Sequence, residues 1–107
     1  MGNKRPKFLY RYMSNNKGIW SVGKRLLPPN LIEEANKARK WLIKPKLSDG
    51  NHVFYMTYKG KKMYEKTLLK VHKKYLSNIR CEKLSFRKVN KIGLVVYEDE
   101  YQIVFKK

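Results

Sequence analysis

A small α+β domain of mostly antiparallel strands, with an N-terminal hairpin, a C-terminal hairpin and two helices, is what this sequence predicts, and three observations carry it. Short runs of β-formers at both ends are broken by Asn, Gly and acidic turn residues. Between them, Tyr64 to Arg80 separates apolar from basic residues at a helical period, and Leu31 to Ile43 does so less sharply. The length of 107 residues with 42% hydrophobic content allows one modest core and no second one.

Met1 to Lys7, with Lys4, Arg5 and Lys7 around Pro6, reads as a flexible basic arm ahead of a single domain over 8–107. Phe8 to Met13 and Ile19 to Lys24 are expected as two strands joined by SNNKG, whose Asn and Gly supply the positive φ of a tight loop. Pro28 and Pro29 close that hairpin. Asn30 with Glu33 then approximates a capping box, and a helix from Leu31 to about Ile43 puts Leu31, Ala35, Ala38 and Leu42 on one stripe until Pro45 stops it. His52 to Tyr58 is expected as a strand turning at KGKK around Gly60, with a short return strand at Met63 and Tyr64. The basic helix follows. Its apolar stripe is Tyr64, Leu68, Val71, Tyr75 and Ile79, and Lys66, Lys70, Lys73, Lys74 and Arg80 stand opposite. Lys83 to Val89 alternates as a strand with a basic outward face, and GLVVY and YQIVF flank Glu98, Asp99 and Glu100 as a hairpin with an acidic tip.

The first ββα-like unit, IWSV followed by IEEANKARKWL, is similar to the strand-and-helix pattern of integrase arm-binding DNA domains. The similarity covers a third of the chain with one strand fewer, and no residue role follows from it.

Charge points toward function. Twenty-six Lys and Arg against eight Asp and Glu give a formal charge of +18. Self-repulsion of that size destabilises a compact state, so the chain is expected to work beside a polyanion, of which nucleic acid is the commonest. Twenty of the bases are Lys, which as point charges favour phosphate contacts over base reading. The expected contact residues are Lys66, Lys70, Lys73, Lys74 and Arg80 on the helix, Lys61, Lys62 and Arg87 beside it, and Arg11, Lys17, Lys24 and Arg25 around the hairpin. The expected partner is DNA or RNA, bound by a regulatory or accessory factor such as a phage or mobile element encodes. Two alternatives stand beside this reading: an inhibitor or adaptor whose basic face engages a host nucleic-acid-processing or defence protein, and a structural subunit of a ribonucleoprotein.

Little in the sequence asks for catalysis. His52, His72 and Cys81 are too few and wrongly spaced for a zinc set. Glu98, Asp99 and Glu100 offer carboxylates that could hold Mg²⁺, but consecutive acids in a hairpin more often make a polar turn. His72 near Tyr75 could be an acid/base pair, against the plainer reading of a half-buried packing histidine. The expectation is a protein that is not an enzyme and has no cofactor or metal. Cys81 alone, no spanning segment and no leader pattern point to a cytoplasmic or nucleoid-associated protein, not secreted and without a membrane partner. MGNKRPKF lacks the Ser or Thr that a myristoylation signal needs at the sixth position.

Overall fold

The computed structural model describes residues 6–107, with the backbone alone at 23–26. Among them run β1 (Phe8–Ser14), β2 (Lys17–Gly18), α1 (Ile19–Leu26), α2 (Pro29–Ala38), β3 (His52–Met56), α3 (Tyr58–Thr67), α4 (Leu69–Lys73), β4 (Ile79–Ser85), α5 (Phe86–Asn90), β5 (Leu94–Glu98) and β6 (Gln102–Lys106). The α+β class and the mostly antiparallel pairing are as expected; the helices number five rather than two among the described residues.

The strand order is β2-β1-β3-β6-β5, with β4 along the other edge of β1. β4 pairs with β1 over its whole length, from Phe8 opposite Ser85 to Ser14 opposite Ile79, and β3 pairs with β6 from His52 opposite Lys106 to Met56 opposite Gln102. Between β1 and β3, however, the register holds one residue pair, Tyr10 opposite Met56. The sheet is thus two halves, β4-β1-β2 and β3-β6-β5, hinged on that pair.

Two clusters pack on its two faces. Tyr12, Met56, Tyr64, Leu68 and Val71 join α1, α2, α3 and α4 to one face, while Leu9, Val53, Val89, Ile103 and Phe105 join α5 to the other. Tyr64, Val104 and Phe105 are fully buried, and each such apolar side chain contributes about 1.5–3 kcal/mol.

Several elements differ from expectation. Asn15 and Asn16 do supply the left-handed turn, with φ of 50° and 67°, but the return strand ends after Gly18 and IWSV begins helix α1. Ile19 and Val22, three apart, are both buried against the helical layer, while β3 and β4 take the remaining edges of β1. The strand-and-helix likeness to integrase arm-binding domains is lost with that strand. α2 starts earlier than expected, with Pro28 as the cap whose carbonyl accepts from Leu31 and Ile32, so Asn30 lies inside the helix and makes no capping box. It stops at Ala38 because Trp41 is drawn away: its indole N–H donates to Thr67 Oγ1 at 3.0 Å and its ring meets Tyr101 edge-on at 5.2 Å.

KGKK, Met63 and Tyr64 form α3 rather than a turn and return strand. The expected single helix over 64–80 ends at Lys73; Ile79 and Arg80 open β4, after Asn78 reverses the chain at φ 53°. The strand expected over 83–89 ends at Ser85, and Val89 is buried from α5. At the N-terminus, the Lys7 carbonyl accepts from Phe86 N–H at 2.9 Å; the rest of the expected arm, residues 1–5, lies outside the described residues apart from Pro6. The acidic-tipped C-terminal hairpin is as expected.

Candidate nucleic-acid interface

Thr57 sets the direction of the basic helix. Its hydroxyl oxygen accepts from Gly60 N–H at 3.1 Å and donates to the Glu100 carbonyl at 2.6 Å, capping α3 while tying it to the β5–β6 turn. α3 passes into α4 through Leu68, which keeps a right-handed helical backbone. Leu68 N–H reaches the Tyr64 carbonyl and His72 N–H reaches the Leu68 carbonyl, each at 3.0 Å. The helical phase therefore carries across the junction. Tyr64, Leu68, Val71 and Leu76 face the core. Lys62, Lys66, Lys70 and Lys73 are exposed on the opposite side, within about 80° of arc at 100° per residue. None of the four is in an ion pair among the described residues. Lys62 lies over the exposed ring of Tyr58 at 5.3 Å, which keeps its charge outside.

The other expected contact residues are divided among different tasks. Lys74 bonds Glu34 at 2.8 Å and pins α4 to α2, and Lys61 bonds Glu65 at 3.1 Å while lying over Tyr10 and Tyr58. Arg80 is on β4, where it donates to Asn16 Oδ1 at 2.8 Å and pairs with Glu82 at 3.5 Å. Arg87 is exposed on α5, across the sheet from the lysine row. Lys17 is exposed on β2, and Arg11 lies 6.0 Å over the Tyr55 ring. The side chains of Lys24 and Arg25 fall outside the described residues. Lys66, Lys70 and Lys73 thus share one surface with Lys62, and the rest do not join it as a single patch.

His72 does not work with Tyr75, which is 58% exposed, nor is it half-buried. It is fully buried, its Nδ1 2.7 Å from the Tyr64 hydroxyl, with Trp20 edge-on to both rings. Burial pushes its pKa down to about 4 and raises the Tyr64 phenol well above its ordinary value, so the pair is neutral at pH 7. Nearby, Tyr12 donates to Glu65 at 2.6 Å, and that bond together with Lys61 holds the Glu65 carboxyl below the usual range.

His72 also lines a cleft of about 630 Å³ that opens where β1 and β3 part company. Antiparallel register would continue from Tyr10–Met56 to set Tyr12 opposite Phe54; instead both side chains line the cleft, with α1 and α2 forming its outer wall. Arg11, Arg39 and Lys44 reach it, and no Asp or Glu is among its lining residues. His52 lines it too, its Nε2 buried and hydrogen-bonded to nothing among the described residues.

The acidic tip is occupied with holding its own turn. Asp99 Oδ1 accepts from the backbone N–H of Tyr101 and Gln102 at 2.8 and 3.0 Å, Oδ2 accepts from the Tyr97 hydroxyl at 2.7 Å, and Glu100 pairs with Lys59. Among the described residues no group of three or more His, Cys, Asp or Glu is placed to hold a metal ion. No helix is long and apolar enough to cross a membrane.

Compared with known protein families, curated proteins and solved structures, the chain matches none. Sequence reasoning did not reach the cleft, because its walls come from segments as far apart as Tyr10 and Gln102. It also passed over Lys62 as a member of the row, although Lys62, Lys66, Lys70 and Lys73 keep helical spacing once α3 is seen to start at Tyr58.

Proposed function

We propose that this is a nucleic-acid-binding protein that holds the phosphate backbone with the α3–α4 lysine row. One observation carries the reading: Lys62, Lys66, Lys70 and Lys73 share an exposed face, without carboxylate partners among the described residues, on a helix anchored through its other side. On the same helical stretch Lys59 is paired with Glu100 and Lys74 with Glu34, whereas these four lie together on one face of a chain of charge +18. Lysines acting as point charges neutralise phosphates and release counterions, which gives affinity without base reading. The fold has no need of these charges, so their removal leaves it intact.

Fluorescence anisotropy with a labelled duplex DNA and a labelled RNA hairpin across a salt series tests the reading. On duplex DNA, four phosphate contacts give a slope of log K against log salt near −3.6, from about −0.9 per contact. Lys66→Gln, Lys70→Gln and Lys73→Gln together should bring that slope to about −1 without changing melting behaviour. Affinity indifferent to both salt and the triple substitution would falsify it. Failure to bind either nucleic acid at low salt would turn the basic face toward an acidic protein partner.

A further inference from the structure

We infer that the cleft between the two half-sheets takes a single unstacked nucleotide of a single-stranded nucleic acid. This rests on the reading of the row as a phosphate surface and adds what the rest of the ligand does.

The chemistry of the cleft divides by depth. Toward solvent, Lys44 is exposed and Arg39 half-buried, and no Asp or Glu is among the lining residues. That arrangement attracts an anion. Its walls carry Tyr12, Trp20 and Phe54, flat faces suited to a base. At depth it presents polar groups. His72 is buried and neutral, with Nδ1 committed to Tyr64. The buried Nε2 of His52 has no hydrogen-bond partner among the described residues. An unmet buried polar atom costs stability until something bonds it, and a base edge carries both donors and acceptors. A volume of about 630 Å³ falls within the range of small-molecule sites.

The backbone supports the same occupant. The sheet is held shut at Tyr10–Met56 and nowhere else between β1 and β3, so the neighbouring strand edges border an opening rather than one another. Duplex DNA keeps its bases stacked inside and has nothing to insert; a single strand offers one at little cost.

Twelve-residue oligothymidylate and its duplex with oligoadenylate, measured at equal salt, separate this inference from the one below it. For the parent protein, the single strand should bind more tightly and shift the Trp20 indole N–H resonance. Asn36→Trp, an exposed position on α2 at the cleft wall, should block entry and lower oligothymidylate affinity about tenfold or more, the share of one stacked base, while leaving the duplex unchanged. Arg39→Gln with Lys44→Gln, which leaves the core untouched, should weaken the single strand in the same selective way. The lysine-row triple variant should weaken both ligands. If both oligomers bind the parent and the cleft variants equally, with the Trp20 resonance unmoved, the cleft inference is wrong and the phosphate surface stands. If neither oligomer binds, the phosphate surface is wrong. Thymidine monophosphate at millimolar concentration then decides the cleft alone: a Trp20 shift abolished by Asn36→Trp supports it, and no shift overturns it.

Discussion

Single residues in this fold do work that their chemistry alone would not announce. His72 is an imidazole removed from water, and burial brings its pKa to about 4, below the value near 6.5 of the unfolded chain. Its neighbours are the Tyr64 hydroxyl and the Trp20 ring, with Arg11 and Arg39 on the cleft it lines; no carboxylate is there to favour protonation. The folded state therefore takes up the proton less readily than the unfolded state. Stability is full above about pH 6.5 and falls as pH drops toward 4, by up to about 1.4 kcal/mol per unit and about 3 kcal/mol in all. Carboxyls held low by their partners, Glu65 and Glu100, add their own losses only below the ordinary carboxylate range. Urea unfolding between pH 5 and 7 thus isolates the histidine. The parent should lose stability across that window and His72→Gln should stay nearly flat; parallel curves would show that His72 is not the titrating group.

At the scale of elements, joints matter more than the elements they join. The start of α3 meets the β5–β6 turn through Thr57, whose N–H donates to the Tyr101 carbonyl and whose hydroxyl donates to that of Glu100. Gly60 sits at this contact, and a Cβ there would run into the Tyr101 carbonyl oxygen, a backbone atom that cannot step aside. Gly60→Ala should cost about 1–3 kcal/mol, as overpacking does, and lower Tm accordingly. Gly18→Ala is the control: its nearest obstacle is the Arg11 guanidinium at 3.0 Å, the far end of a flexible side chain. Thermal melts of the two variants should differ clearly, and equal melts would mean that the α3 joint yields. The same joint aims the lysine row, since everything from Lys62 to Lys73 takes its direction from where Thr57 begins the helix.

The whole molecule carries +18 on a chain with a Cα radius of gyration of 13.8 Å, and few of the bases among the described residues are in ion pairs. Such a field favours anions and works against the folded state at once. Raising ionic strength shortens the Debye length from about 30 Å at 0.01 M to about 8 Å at 0.15 M. The free protein should therefore melt higher at the higher salt, while the proposed nucleic-acid complex should weaken. Calorimetry in a non-coordinating buffer, with and without salt, checks the first half. A Tm that falls with salt would mean that the few ion pairs, such as Lys59–Glu100 and Lys74–Glu34, outweigh the repulsion.

The sequence by itself determined the α+β class, the turn at Asn15 and Asn16, the C-terminal hairpin with its acidic tip, and the buried stripe through Tyr64, Leu68 and Val71 beneath Lys66, Lys70 and Lys73. Each of these rests on neighbours in the chain: a positive φ, an alternation of period two, a stripe of period 3.6. Tertiary structure decided the rest. Short apolar runs such as IWSV fit a strand or a helix, and α1 became a helix where β3 and β4 took the other places along β1. Ile79 and Arg80 extend the helical pattern, yet β1 offered them a full strand edge. The cleft was beyond any local pattern, because it exists only where two half-sheets share a single residue pair and β1, α1, α2 and β3 bring their side chains to the opening.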